Sequence, residues 1–270
     1  METAVRPVAV KAWRPPVPGV REVLHASLGR HAYPPHVHDA WTLFVVDVGG
    51  VRYDLDRHDR AAPRGVVSIL PPGVTHDGRP ATADGYRKRV VYLDPGILGE
   101  DLVGPSVDRP VVPGTSLLAD VNALHRTLDC PDDGLEAETL LHELVTRIRA
   151  AYALPAPVGR DRSFRPRSDL AEAVRAALEA DLTGRPSIAA IARELGVGTT
   201  TATRAFRAAF GIPPHAYVLG RRLEIARGRL LAGQALVDVA FETGFSDQAH
   251  LTNRFRRFQG VSPGRYRAAG

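Results

Sequence analysis

SIAAIARELGVGTTTATRAFRAAFGIPPHAY (187–217) and ALVDVAFETGFSDQAHLTNRFRRFQGVSPGRY (235–266) are two copies of one pattern. Ile188, Ile191, Ala192, Gly196 and Val197 recur as Leu236, Val239, Ala240, Gly244 and Phe245, and Phe206, Arg207, Gly211, Ile212, Pro214 and Tyr217 as Phe255, Arg256, Gly260, Val261, Pro263 and Tyr266. The second set is offset by one residue more than the first, so one residue has been added in the second copy. Each copy opens with an apolar i, i+3, i+4 helix, turns at a glycine and continues into a second helix with aromatic anchors. That unit, the helix-turn-helix, lays its second helix in a DNA major groove. Its duplication predicts a protein that reads double-stranded DNA.

The same periodicity separates the inward from the outward positions of the two second helices. In the first, Ala202, Phe206 and Phe210 face inward, leaving Thr200, Thr203, Arg204 and Arg207 outside. In the second, Ser246 is the expected N-cap, Leu251, Phe255 and Phe258 face inward, and Gln248, Ala249, Thr252, Asn253 and Arg256 face outward. Gln and Asn pair bidentately with adenine and Arg with guanine, while Ala and Thr offer methyl contacts to thymine. Thr200, Thr203, Arg204, Gln248, Ala249, Thr252 and Asn253 are therefore the expected base contacts, and Arg207, Arg256 and Arg257 the expected phosphate contacts. Tyr217 to Leu231, with Leu219, Leu223, Ala226 and Leu230 on one side, reads as a long helix that joins the two units rigidly. Rigidity is required because consecutive major grooves repeat at roughly 34 Å.

Charge agrees with this placement. Residues 166–270 hold 15 Arg and no Lys against 9 acidic residues, a net +6, while the whole chain carries +5. The basicity thus lies entirely in the C-terminal part, as expected of a half that displaces counterions from a polyanion. No apolar run approaches the roughly 20 residues that span a bilayer, and Met1 to Pro18 lacks the apolar stretch of a secretory signal. The expectation is a cytoplasmic protein with no membrane partner. The single cysteine, Cys130, forms no internal disulfide and excludes a multi-cysteine zinc site.

The N-terminal part has a different texture. Trp41 to Val48, Val51 to Leu55, Gly65 to Leu70 and Arg89 to Leu93 read as short strands, with Gly49-Gly50 as a hairpin turn between the first two. Such spacing predicts a small antiparallel sandwich or barrel. After Pro113, residues 116–128 and 135–152 read as two amphipathic helices that either cap the barrel or pair with a second copy of the chain. The stretch LPAPVGRDRSFRPR, residues 154–167, reads as a linker, and Ser168 and Ser187 as N-caps.

The stretch from Ser187 to Arg267 resembles the DNA-binding domain of AraC-type transcription regulators. The likeness is carried above all by DVAFETGFSDQAHLTNRFRRFQGVSPGRYR, Asp238 to Arg267. The resemblance implies two units on neighbouring grooves, with the outward residues named above facing the bases, and RNA polymerase, a small-molecule effector and a second copy of the chain as further partners. Gly198, where a capping Ser is usual, and Ala202, where a larger apolar residue is usual, depart from the pattern. Residues 20–95 resemble the cupin barrels that serve many such regulators as sensors. His36 and His38 sit two apart, and His76 comes from a later strand. Cupin enzymes add a Glu after the second His, and here the chain reads Asp39-Ala40-Trp41-Thr42. Three readings of the histidines stand side by side: hydrogen-bonded residues of the barrel interior, an effector pocket of His36, His38, Trp41, Tyr53 and His76, or a divalent-metal site of His36, His38 and His76.

The fold expected is multi-domain α+β: a cupin-like antiparallel barrel over 1–113, a helical pair over 114–153, a linker over 154–167, and an all-α domain with two helix-turn-helix units over 168–270. The function expected is a regulator without a cofactor and without catalytic residues. The rival is a metal-dependent cupin enzyme that carries a DNA-binding module. A DNA-repair protein would need an activated cysteine, for which Cys130 is poorly placed.

Overall fold

The computed structural model describes residues 8–112, 114–130, 132–154 and 167–267, and most of the expected linker lies outside them. Two antiparallel sheets build the N-terminal half. The larger runs β1 (Ala9–Trp13), β2 (Val20–Leu28), β9 (Tyr86–Leu93), β4 (Trp41–Gly49), β7 (Val67–Leu70) and β10 (Val111–Val112) in that order. The smaller runs β3 (Tyr33–His36), β8 (His76–Pro80), β5 (Val51–Leu55) and β6 (His58–Ala62).

The continuous apolar run of β4 is explained by burial on both faces. Phe44 and Val46 pack inward against Val51, Tyr53 and Leu55 of the smaller sheet. Trp41, Leu43 and Val45 point the other way, into a second core shared with Leu117, Val121 and Leu124 of α3 (Thr115–Thr127) and Leu141, Leu144 and Ile148 of α4 (Gly134–Ala153). Strand residues alternate faces, so a strand covered on both sides shows no polar phase. The helical pair lies on the sheet's outer face, next to the short helices α1 (Pro95–Leu98) and α2 (Val103–Asp108).

The hairpin expected at Gly49-Gly50 does not form. β4 pairs with β7 and β9, whereas β5 pairs with β6 and β8, so the two glycines carry the chain from one sheet to the other. Gly49 has φ of 71°, and a Cβ there would lie 2.3 Å from the Gly85 carbonyl oxygen. The turn chemistry was legible, but a turn's composition does not say whether its flanking strands pair.

The C-terminal half comprises α5 (Asp169–Ala180), α6 (Ile188–Glu194), α7 (Thr199–Phe210), α8 (Pro214–Leu231), α9 (Leu236–Glu242), α10 (Gln248–Gln259) and α11 (Pro263–Arg267). Ser168 and Ser187 cap α5 and α6, accepting from the amides of Ala171 and Ala190. At α10 the cap is Asp247 rather than Ser246. The Asp247 carboxylate accepts from the His250 amide at 2.7 Å, and the Ser246 hydroxyl is turned onto that same carboxylate. The repeated glycines have one physical role in both copies, because Gly211 and Gly260 end α7 and α10 in the left-handed conformation. Gly198, having no side chain, gives α7 no side-chain cap.

The two halves are joined by a buried ion pair. Arg227 of α8 lies 2.6 Å from Glu22 of β2, and both side chains are almost wholly buried. Tyr266 of α11 donates to the other Glu22 oxygen, and the Arg227 guanidinium sits 4.5 Å from the Tyr92 ring centroid. Around this centre the Asp39 amide donates to Glu224, Arg221 pairs with Asp39 and Glu179, and His31 meets the Phe258 carbonyl at 3.0 Å. The barrel also holds the end of α7, where Arg57 donates to the Ala208 carbonyl and Thr75 to that of Phe210.

Removing one partner of a buried pair strands the other charge, at a cost of about 3–5 kcal/mol. Arg227→Met is expected to lose about that much stability in chemical denaturation, whereas Arg256→Met, on the exposed face of α10, is expected to change the midpoint little. A second consequence concerns acid. His25 of β2 and His125 of α3 meet at 3.3 Å between sheet and helices, faced by Trp13 and Lys11 of β1, Arg89 of β9, Asp47 of β4 and Asp129 beyond α3. Burial, then Arg89, pushes His25 down to about 4, and the same causes hold His125 well below the usual imidazole value. The unfolded chain therefore takes up protons that the folded chain refuses, so this stability is whole above about pH 6.5 and is lost as pH falls toward 4. The denaturation midpoint is expected to drop between pH 7 and pH 5, and to drop less in His125→Leu.

Candidate nucleic-acid interface and barrel cavity

In α7 and α10 an apolar stripe fixes which side chains reach solvent. Ala202, Phe206 and Phe210 are buried in the core that the first unit shares with α5 and α8. Leu251, Phe255 and Phe258 are buried in the second. The aromatic anchors touch one another: Phe206 stacks on Phe210 at 4.5 Å, Tyr217 meets both, and Phe255 meets Tyr266 edge-on at 5.2 Å. With those rings locked, Thr200, Arg204 and Arg207 on α7 and Gln248, Ala249 and Asn253 on α10 stand exposed, and Thr203 and Thr252 are half-buried beside them. Arg256 and Arg257 are exposed as well. Among the described residues none of Arg204, Arg207, Arg256 or Arg257 is tied up in an ion pair, which leaves their guanidinium groups available to phosphate. The structure thus places all ten residues named from the sequence on the outer faces of the second helices. Between the two units runs an open groove of about 920 Å³ whose wall includes Thr203, Arg222, Ser246 and His250.

The barrel interior brings together residues that are far apart in the chain. His36 ends β3, His38 follows it, and His76 begins β8 in register with His36. The His36 and His38 rings touch through Nε2 atoms 3.2 Å apart, and the His76 ring centroid lies 4.6 Å from that of His36 and 5.1 Å from that of His38. All three are buried. Burial, reinforced by the neighbouring rings, holds His36 and His38 far below the usual imidazole value, and burial brings His76 to about 4, so the cluster is neutral at pH 7.

The rings line a cavity of about 30 Å³, together with Tyr53 as expected and Tyr33, Thr42, Lys88 and Tyr92, which sequence reading missed. Lys88 lies 4.4 Å from the Tyr33 ring centroid, and burial lowers it to about 8. Its signal was available in β9, where Tyr86, Lys88, Val90 and Tyr92 share one strand parity and so one face. Trp41, placed by sequence in the pocket wall, is not there. It belongs to the opposite face of β4, buried against the helices with its indole donating to the Pro95 carbonyl at 3.0 Å. Its neighbour Thr42 takes the inward position.

Known proteins with the same features divide between the two halves. The helix-turn-helix domain family matches residues 191–269, and the AraC-like ligand binding domain matches residues 18–145. The virulence regulon transcriptional activator VirF of Yersinia enterocolitica is 42% identical over 77 residues, 28% of this chain and 28% of its own length. The transcriptional activator AarP of Providencia stuartii is 32% identical over 91 residues, 33% of this chain and 67% of its own length. The crystal structure of ToxT from Vibrio cholerae O395 shares the fold of both halves, with a TM-score of 0.60 over 97% of each chain at 11% identity. Among the described residues no helix is long and apolar enough to cross a membrane. A ligand-binding barrel followed by a duplicated helix-turn-helix places this chain in the AraC-type family of transcription regulators.

Proposed function

We propose that the chain is a sequence-specific transcription regulator that works in the cytoplasm, binding double-stranded DNA through α7 and α10 and a small-molecule effector in its barrel. Residues 168–270 form the reading half, 1–113 the sensing half, and 114–153 a helical pair that buttresses the sensor. The observation that carries this reading is α10, which buries Leu251, Phe255 and Phe258 and turns Gln248, Ala249, Thr252 and Asn253 outward from the end of the helix that enters a groove. Thr200, Thr203 and Arg204 do the same from α7, and Arg207, Arg256 and Arg257 hold the backbone. VirF and AarP are named as activators, and we assign the same sign and the same partner, RNA polymerase, here. Pairing with a second copy of the chain belongs to the same reading, as does the absence of catalysis.

One crystal structure of ToxT holds an unsaturated fatty acid. The cavity in the present barrel has room for no more than one or two waters. An organic effector of that size therefore has to part the two sheets, or to lift the helices docked on them, before it enters. Either movement strains the contacts that hold α8 and α10 to the barrel, which is how occupancy would reach DNA.

Binding-site selection from randomised duplexes tests the assignment. Gln248→Ala and Asn253→Ala are expected to relax base preference at one half-site at a cost of about 1–3 kcal/mol each. An unchanged selected sequence would sink the base-reading role. Arg256→Ala is expected to weaken all duplexes alike and to reduce the salt slope by about one unit. A change in sequence preference at constant slope would move Arg256 from the phosphate to the bases.

A further inference from the structure

Phe241 contributes nothing to the core of its own unit. It is 82% exposed on α9, whereas every other phenylalanine among the described residues is buried. Val237, one turn earlier on the same helix, is exposed beside it. The internal duplication shows that the fold does not ask for an aromatic ring here. Ala192 corresponds to Ala240, so Phe241 stands where the first unit carries Arg193, which is exposed as well.

The surroundings of the ring say what it meets. Phe241 shares the wall of the groove between the two units with Thr203 of α7, with Ser246 and His250 around the start of α10, and with Arg185. The two walls are held at a fixed separation. Arg222 of α8 donates to the carbonyls of Leu182 and Gly184 before α6 at 2.7 and 2.6 Å, and to that of Gly244 after α9 at 2.8 Å. The units approach so closely there that a Cβ on Gly244 would collide with the Thr183 carbonyl oxygen. Arg185 is exposed, and among the described residues it has no ion pair. Two helices that enter consecutive major grooves from one side lie roughly 34 Å apart, and midway between them the duplex turns its minor groove to the protein. The wall that carries Phe241 and Arg185 is what faces it.

We propose that Phe241 is a wedge for that minor groove. Its ring enters a base step at the centre of the site, about five base pairs from the middle of each half-site, while Arg185 holds a flanking phosphate. Apolar side chains placed in this way part stacked bases and bend the duplex toward its major groove. Pyrimidine–purine steps part most readily, so the centre of the site is read through its deformability, with no hydrogen bond to a base edge. The proposal rests on the reading of α7 and α10 as groove-entering helices and adds a third contact that neither of them supplies.

Binding-site selection with the full-length chain, followed by end-to-end energy transfer on the selected duplex, tests the wedge. The wild type is expected to select a TA or CA/TG step at the centre and to bend the duplex. Phe241→Ala is expected to accept any central step, to lose about 20° of bend or more, and to keep both half-site preferences. Phe241→Arg, which gives the second unit the residue of the first, is expected to lose the central preference likewise and to raise the salt slope by about one unit. Arg185→Ala is expected to lower that slope by about one unit and to keep the central step. An unaltered bend and central preference in Phe241→Ala overturns the wedge. So does a Phe241→Ala chain that binds and bends as the wild type does but no longer activates transcription by purified RNA polymerase, since the ring then docks on the polymerase. A wild type that selects both half-sites but no central step refutes the wedge alone, whereas one that selects no sequence at all refutes the reading by α7 and α10 with it.

Discussion

Helix α8 belongs to three packing units at once, and the rest of the molecule is arranged around that constraint. Tyr217 and Val218 at its start complete the core of the first helix-turn-helix, and Leu223, Ala226 and Leu230 complete that of the second. Arg221, Glu224 and Arg227 reach the barrel. Of its 18 residues only His215 and Gly228 are exposed rather than buried or half-buried. A helix of that length spans roughly 27 Å. The separation of the two reading helices and their attachment to the sensor are therefore set by one rigid element, and neither can shift without the other.

The polar character of this attachment has a physical consequence. A purely apolar seam between barrel and helices would be stronger per unit area but indifferent to small rotations. Glu22 and Arg227, buried and satisfied by Tyr266 and Tyr92, are stable in one geometry alone, since any displacement leaves a charge without water or partner. An interface of this kind holds its docked geometry sharply and penalises intermediate displacements. That is the property a switch needs.

Legibility in the sequence followed the range of the interactions. The duplicated units, the strand β4, the helical pair and two of the three serine caps rest on contacts within a few residues, and the periodicity of Ile188 to Tyr217 and Leu236 to Tyr266 displays them directly. The outward faces of α7 and α10 followed from the same stripe. What failed was phase and pairing. β4 is apolar on both faces, so nothing in WTLFVVDV says that Thr42 faces the cavity and Trp41 the helices. Gly49-Gly50 has hairpin composition, yet its flanking strands find partners in different sheets. The Glu22–Arg227 pair joins residues 205 apart, and no local pattern marks it. Ser246 lost its cap role to Asp247 because two adjacent residues could each cap, and in the fold it is the Asp247 carboxylate that reaches the His250 amide.

These features bound what a barrel ligand must accomplish. A ligand moves the docked–released equilibrium only by the difference in its affinity for the two states, and a shift from 1:99 to 99:1 needs about 5.5 kcal/mol of that difference. The histidine cavity touches the DNA-binding half through few atoms, chiefly His36 against Phe258 and Gly220, and His38 through Tyr92 to Arg227. The second route ends at the buried guanidinium itself. A guest that rotates Tyr92 by even a small angle removes the aromatic face that shields Arg227, so a small movement is charged against the costliest contact in the interface. Under the regulatory reading proposed above, leverage of this kind would let a cavity of atomic dimensions act on a helix of 18 residues, through the Tyr92–Arg227 contact rather than through the groove between the reading helices.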